Sequence, residues 1–282
     1  MMRSSLVGIN LLILLSAFTK VGYSAEIKVE PSLRVIALTS FSADITQKIS
    51  AKSLVAIPES KLLAENPNMK YLPKISTGRN QPSLEKIISL KPDFVIGASG
   101  FHDKVLRKLK SLGIATIDYK ITDINSIQVL ADRISSQLSL PSVSVNNYIP
   151  ACFPSKSARN KVIDPLLVVA SFKPIISPTS KSWSGSLLSH LNIPNLSSSL
   201  PGSGQFSGYA TLSPEWVIKN NPKSLAVITF PNTDIPRLSD KPIWKSISAV
   251  KSNNIKTFDY YGLINPGSLK SINATCLKLL TL

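Results

Sequence analysis

Histidine is almost absent from this chain. His102 and His190 are the only two in 282 residues, and neither has a carboxylate or another histidine three or four positions away. That argues against a transition-metal cage of clustered His, Cys and carboxylates. Cysteine is as scarce, with Cys152 and Cys276 alone. No phosphate-binding loop is present, and Gly202, Gly204 and Gly208 follow no strand, so they make no dinucleotide fingerprint. Neither Ser184-Gly185-Ser186 nor Ser207-Gly208 forms the G-x-S-x-G elbow of a serine hydrolase. Acidic residues number 16 against 32 Lys and Arg, giving a formal charge of +16. The basic residues are scattered, and their densest group, Lys104, Arg107, Lys108 and Lys110, reads as the solvated face of one helix. No nucleic-acid partner is expected.

What is present begins with Met1-Met2-Arg3, an apolar stretch from Leu6 to Phe18, and the small residues Gly22-Tyr23-Ser24-Ala25. This is the pattern of a cleaved secretory signal peptide, expected to occupy residues 1–24. The apolar stretch is shorter than the roughly 20 residues that span a bilayer. No Cys stands at the junction to carry a lipid, so the expected compartment in a bacterium is the periplasm, with the protein soluble there. In such an oxidising compartment Cys152 and Cys276 form either a disulfide or two buried thiols.

The mature chain reads as α/β. Leu33 to Leu38 is a short apolar strand ending in Thr39-Ser40-Phe41-Ser42 and a helix from Ala43 to Ile49. Phe94-Val95-Ile96-Gly97 feeds a loop through Phe101 and a helix from His102 to Leu112, which Gly113 stops before the strand Ile114 to Ile117. The alternation predicts parallel sheets covered on both faces.

An internal repeat is the most informative feature. Ser83-Leu84-Glu85-Lys86-Ile87-Ile88 and Ser213-Pro214-Glu215-Trp216-Val217-Ile218 both read S-x-E-x-[IV]-I, 130 residues apart, each followed by Pro92 or Pro222 and a buried strand. Ser sits where an N-cap belongs, and Pro breaks each helix before its strand. The repeat predicts two lobes of similar construction, residues 25–124 and 164–282. Between them, residues 125–163 form a connector with Ile127, Leu130, Ala131, Ile134 and Leu138 at helical spacing, then a polar stretch containing Pro150 and Pro154.

Loops that follow strands are where α/β proteins hold ligands. Ser40, Phe41, Arg79, Phe101 and His102 fall there in the first lobe, and Ser182, Trp183, Tyr209, Phe230, Tyr260 and Tyr261 in the second. Arg79 and Tyr209 each stand six residues before the repeated Glu, a symmetry that would set them on opposite walls of a cleft. Glu85 and Glu215 are a matched pair of acids in a basic protein, favoured in a first helical turn by the macrodipole and able to engage cations on a two-fold partner.

With these residues in place, the chain resembles the periplasmic solute-binding proteins of ABC importers for ferric siderophores, haem and cobalamin. The matching stretches are Arg34 to Ser40, Leu72-Pro73-Lys74-Ile75, Pro82 to Ile96, Ser182 to Leu188, Leu212 to Glu215, and Trp244 to Lys251. The resemblance implies the class III fold: two Rossmann-like lobes with parallel sheets joined by a single long helix. It implies a ligand held between the lobes with little hinge motion, no enzymatic activity, no cofactor and a monomer in solution. Glu85 and Glu215 would dock an inner-membrane permease dimer with its ATPase, and Arg79 and Tyr209 would face the ligand. The chain departs from the family at Pro150 and Pro154 in the connector, and at Ser76, where Gly usually follows Leu-Pro-x-[VI].

A ferric siderophore ranks first as ligand, because bulky anionic chelates suit Arg79 and Lys181 beside aromatic walls. Cobalamin ranks second and haem third, the latter able to use Tyr209 or His102 as an axial ligand. The rival class, a metal-chelate processing enzyme, would need clustered acids or a reactive Cys that the sequence does not supply.

Overall fold

The computed structural model describes residues 32–64, 66–77, 80–155, 163–202, 207–230 and 241–282. The expected signal peptide and Arg79 lie outside the described residues. In chain order the elements are β1 (Val35–Ala37), α1 (Ser40–Ser50), β2 (Leu54–Ala56), α2 (Lys61–Ala64), α3 (Leu84–Ser89), β3 (Phe94–Ala98), α4 (Asp103–Ser111), β4 (Ala115–Tyr119) and α5 (Ile124–Gln137). They continue with β5 (Leu166–Val169), β6 (Ser171–Phe172), β7 (Ile175–Pro178), α6 (Trp183–His190), β8 (Tyr209–Leu212), α7 (Pro214–Asn220) and β9 (Ser224–Thr229). The last are α8 (Pro242–Lys245), α9 (Ser248–Lys251), β10 (Ile255–Asp259), α10 (Tyr260–Leu263) and α11 (Leu269–Leu279).

The first sheet is parallel, in the order β2-β1-β3-β4, and the second is parallel, in the order β10-β9-β5. A third, antiparallel sheet β6-β7-β8 adjoins the second and was not foreseen from the sequence. Its strands are short and lack the continuous aliphatic run that marks β5 and β9. The architecture is the class III binding-protein fold that the resemblance implied.

Alternation along the parallel strands explains the layering. Val35, Phe94 and Ile96 of the first sheet, and Leu166, Val168, Ala226 and Ile228 of the second, share one continuous core. Ile36 and Val95 face an outer layer with α3 and α4, while Leu167, Val169, Leu225 and Val227 face another with α7 and α8. Two helices fill the space between the sheets. α5 contributes Ile124, Ile127, Leu130, Ala131 and Ile134, the spacing read from the sequence, and α11 contributes Leu269, Ile272, Cys276 and Leu279. Asp123 caps α5 through the Ser126 N–H. The helix ends at Gln137, Ser139 takes a positive φ of 54°, and two 3-10 turns follow, Val145–Asn147 and Pro150–Cys152, the second opened by Pro150. The departure at Pro150 therefore falls after the connecting helix has closed.

α11 is fastened at two places along its length. Cys152 and Cys276 are joined by a disulfide with a Cα–Cα distance of 5.1 Å, and beside it the Ala151 N–H donates to Asn273 Oδ1 at 2.9 Å. At its first turn, the backbone N–H of Leu269 donates to the buried carboxylate of Asp44 at 2.7 Å, a contact spanning 225 positions of sequence from α1. Burial raises the Asp44 pKa above its ordinary 3.8, opposed by the backbone hydrogen bonds of Leu269 and Lys270 and by the charges of Lys48 and Lys270.

Two outcomes follow for stability. Asp44→Ala leaves the buried Leu269 N–H unpaired and costs about 1–3 kcal/mol, whereas Asp44→Asn keeps an acceptor. Because the folded-state pKa is raised, the Asp44 contribution is complete below pH 3.8 and is lost as pH rises through the folded value, so Asp44→Asn removes that pH dependence. Urea denaturation across pH 3–8 reads both; a pH profile identical in Asp44→Asn and wild type would contradict the assignment. Replacing Cys152 and Cys276 together by Ser lowers unfolding free energy by about 2–5 kcal/mol, since the bridge closes a long loop.

Candidate functional site

In a parallel sheet every strand ends at the same edge, so the segments that follow β1, β2, β3 and β4 gather at the rim of the first sheet. There, Thr39 caps α1 by accepting from the Ser42 N–H, and its Oγ1 lies 2.5 Å from the hydroxyl of Tyr119. Burial pushes the Tyr119 pKa up to about 12, so this hydroxyl stays protonated. Ser40 donates to Ser60 at 2.7 Å, and Ser99 donates to Asp118 at 3.3 Å. The rim is lined with hydroxyls.

Phe41 is not on that rim. Helix α1 begins three residues before the expected start, because Thr39 and Ser42 close a capping box that opens the helix at Ser40, and the Phe41 ring packs into the core against Tyr119. Phe101 is 80% exposed at the tip of the β3 turn, where Gly100 takes a φ of 83°. His102 is half-buried and faces inward, its Nδ1 accepting from the Ala98 N–H at 3.1 Å. Burial lowers its pKa, so the imidazole is neutral, with its proton on Nε2.

The second rim is aromatic. Phe230, directly after β9, lies 5.2 Å from Tyr260, directly after β10, and Tyr260 lies 5.3 Å from Tyr261 by ring centroids. Phe230 and Tyr261 are exposed and Tyr260 is half-buried. These rings ride on a segment kinked at Tyr261 and Gly262, and four groups pin that segment from below. Trp183 Nε1 donates to the Gly262 carbonyl at 2.8 Å, Ser184 donates to Leu263 at 2.5 Å, Tyr209 donates to Ile264 at 3.3 Å, and the Asn265 carbonyl accepts from the Gly262 N–H at 2.6 Å. Gly262 has a φ of 100°, and a Cβ there would lie 2.2 Å from Thr275 Oγ1 and 2.4 Å from the Ser271 carbonyl of α11. Only glycine fits.

Trp183 and Tyr209 therefore hold the segment that carries the aromatic rings. Trp183 is buried at the start of α6, whose cap Ser182 accepts from the Gly185 N–H. Tyr209 sits in β8, and burial raises its phenol pKa, with a hydrogen bond to Ser184 opposing the rise. Lys181 is exposed immediately before that cap.

The two rims meet. Asp44 lies one turn into α1 below Thr39 and Ser40, and its partner Leu269 follows the segment that carries Tyr260 and Tyr261. An open hollow bounded by Asp164, Lys223 and Asn254 lies instead at the opposite edge of the second sheet, where its strands begin. Glu85 and Glu215 are exposed in the first turns of α3 and α7, which run back toward the starts of β3 and β9, so both acids sit at the rim end of their sheets. Hydrogen bonds from its own N–H and from the Ser213 hydroxyl hold the Glu215 carboxyl below its ordinary range. Among the described residues no group of three or more His, Cys, Asp or Glu could hold a metal ion, and no helix is long and apolar enough to cross a membrane.

The profile described as "Periplasmic binding protein" matches residues 35–139 and 155–261. The chain belongs to the periplasmic binding protein family. Its members are solute-binding proteins, not enzymes. Among curated proteins, this binding protein is similar to the Fe(3+)-citrate-binding protein YfmC of Bacillus subtilis, 25% identical over 193 residues. That match covers 64% of the chain and 58% of the length of YfmC. Among solved structures, it resembles a possible iron-binding periplasmic solute-binding protein from Staphylococcus epidermidis with TM-score 0.71 and 17% identity, covering 89% of this chain and 98% of that one. The haem-binding protein HutB of Vibrio cholerae follows with TM-score 0.67 and 20% identity, over 88% and 98%. The vitamin B12-binding protein BtuF of Vibrio cholerae has TM-score 0.61 and 19% identity, over 89% and 98%. At these identities the structures share the fold.

Thr39, Ser60 and Tyr119 were missed by sequence reasoning. Tyr119 ends β4 two residues past the expected strand, and an aromatic at a strand's C-terminal end was the available signal. Gly262→Ala is expected to displace the aromatic segment. Loss of the tyrosine near-ultraviolet dichroism with far-ultraviolet dichroism retained checks it.

Proposed function

We propose that this binding protein is the periplasmic substrate-binding component of an ABC importer that captures a ferric siderophore or similar iron chelate between its rims. In this reading residues 25–124 and 164–282 are the two walls, with 125–163 between them. The observation that carries it is the aromatic row Phe230, Tyr260 and Tyr261, with Phe230 and Tyr261 exposed and the segment anchored from beneath, together with the hydroxyl-lined rim of the first sheet. Flat aromatic faces and hydroxyl donors match a bulky chelate whose metal is already wrapped by its own donors.

Two features favour such a chelate over haem. His102 uses Nδ1 to accept from Ala98 and keeps its proton on Nε2, so iron ligation through Nε2 would require breaking that bond. Tyr209 is committed to the Ile264 carbonyl, and its raised pKa opposes the phenolate that iron would need. Lys181, and Arg79 by its motif position, supply positive charge for an anionic ligand. That the curated relative is a ferric citrate-binding protein supports an iron chelate as cargo. Cobalamin is the second reading, favoured by the same aromatic row. Glu85 and Glu215, one at each rim, dock the permease dimer.

Replacing Phe230 and Tyr260 together by Ala should weaken binding of the ferric chelate by more than about tenfold, or ~1.4 kcal/mol, in a tryptophan-fluorescence titration. Trp183 reports because it touches the segment bearing Tyr260. Unchanged affinity would remove the aromatic row from the site. Replacing Glu85 and Glu215 together by Ala should abolish uptake into cells while leaving that affinity intact.

A further inference from the structure

The repeated motif holds an exposed aliphatic residue that the fold does not use. In S-x-E-x-[IV]-I the fifth position is fully buried in both copies, Ile87 in the core beside α4 and Val217 in the core beside α8. The sixth position is not. Ile88 is 42% exposed and Ile218 is 49% exposed. Exposed apolar residues occur singly on any protein, and Leu33, Val129 and Leu277 are others here, so one such isoleucine would carry no meaning. Recurrence at the same register, in two copies 130 residues apart, does.

Position matters as much as exposure. Glu85 and Ile88, and likewise Glu215 and Ile218, are three apart on a helix, so each pair shares one face with Cβ atoms about 5–6 Å apart. Both helices are oriented with the acid at the rim end of the sheet. Each wall therefore offers the same small patch: a solvent-exposed carboxylate with an aliphatic side chain one turn below it. An apolar side chain beside a charged group follows the pattern of an interface, in which an apolar centre is ringed by a polar rim.

Resting on the reading of Glu85 and Glu215 as docking acids, we infer that Ile88 and Ile218 are the apolar anchors of the same docking surface. The partner is a two-fold membrane receptor that presents, in each half, a cationic side chain beside a shallow apolar socket. The carboxylates set orientation and encounter rate, and the isoleucines slow dissociation.

The test measures docking of the signal-cleaved protein to the permease and ATPase complex of its importer in lipid nanodiscs, by surface plasmon resonance, with stimulated ATP hydrolysis as a second readout. The variants are Ile88→Ser with Ile218→Ser, Glu85→Gln with Glu215→Gln, and Val129→Ser as an exposed apolar control on α5. Ile88→Thr with Ile218→Thr keeps the branched shape should the Ser pair fold poorly. The inference expects the isoleucine pair to lose docking affinity by about tenfold or more, chiefly through faster dissociation, and the Val129 control to dock as wild type. If the isoleucine pair docks as wild type while the glutamate pair fails, the anchors are wrong and the docking acids stand. If both pairs dock as wild type, or wild type does not dock at all, the docking reading fails and the anchors fall with it.

Discussion

Where the rim of the first sheet meets the segment that bears the second sheet's aromatic rings, a single buried carboxylate takes up a backbone N–H. Asp44 belongs to α1, which starts at the hydroxyl rim, and Leu269 opens α11, which follows the aromatic segment. Were this contact to shift, Tyr260 and Tyr261 would move relative to Thr39 and Ser40. Helix α11 is also bridged to the connector by Cys152–Cys276 and blocks any side chain at Gly262. One helix thus fixes the relation of the two rims and the shape of the segment that carries the rings. One continuous core runs from Val35 through α5 and α11 to Phe258 and joins the two parallel sheets.

Much of this was legible in the residues. The repeat around Glu85 and Glu215 gave both helices, their Ser caps and the strands that follow, because N-caps, a stop at Pro and an aliphatic run are local signals. Helix α5 followed from its spacing. What escaped depended on contacts between distant parts of the chain. Phe41 was read as a loop residue, and the capping box between Thr39 and Ser42 places it in the first turn of α1, packed in the core. Trp183 and Tyr209 were read as residues of post-strand loops, and that their polar atoms meet the carbonyls of Gly262 and Ile264 is something no spacing foretells. The antiparallel sheet β6-β7-β8 and the Asp44 contact were invisible for the same reason.

The site shows a division of labour. Residues with strong hydrogen-bonding tips, Trp183, Ser184 and Tyr209, are spent on the backbone beneath, while Phe230 and Tyr261 present broad faces to solvent beside the half-buried ring of Tyr260. A preformed aromatic surface loses little entropy on binding, which suits capture of a dilute, rigid ligand. The same economy appears on the outer faces, where the motif repeats an exposed acid beside an exposed isoleucine.

The central claim is that the rims hold an iron chelate whose metal needs no donor from the protein. Calorimetric titration of the signal-cleaved protein with ferric citrate, ferric hydroxamate and ferric catecholate siderophores, their iron-free forms, cobalamin and haemin tests it most directly. The account predicts saturable binding of one ferric chelate at micromolar concentration or below, with the iron's visible absorption unchanged on binding. Silence from every ferric chelate, with haemin binding and a visible spectrum shifted by a new axial ligand, would contradict it.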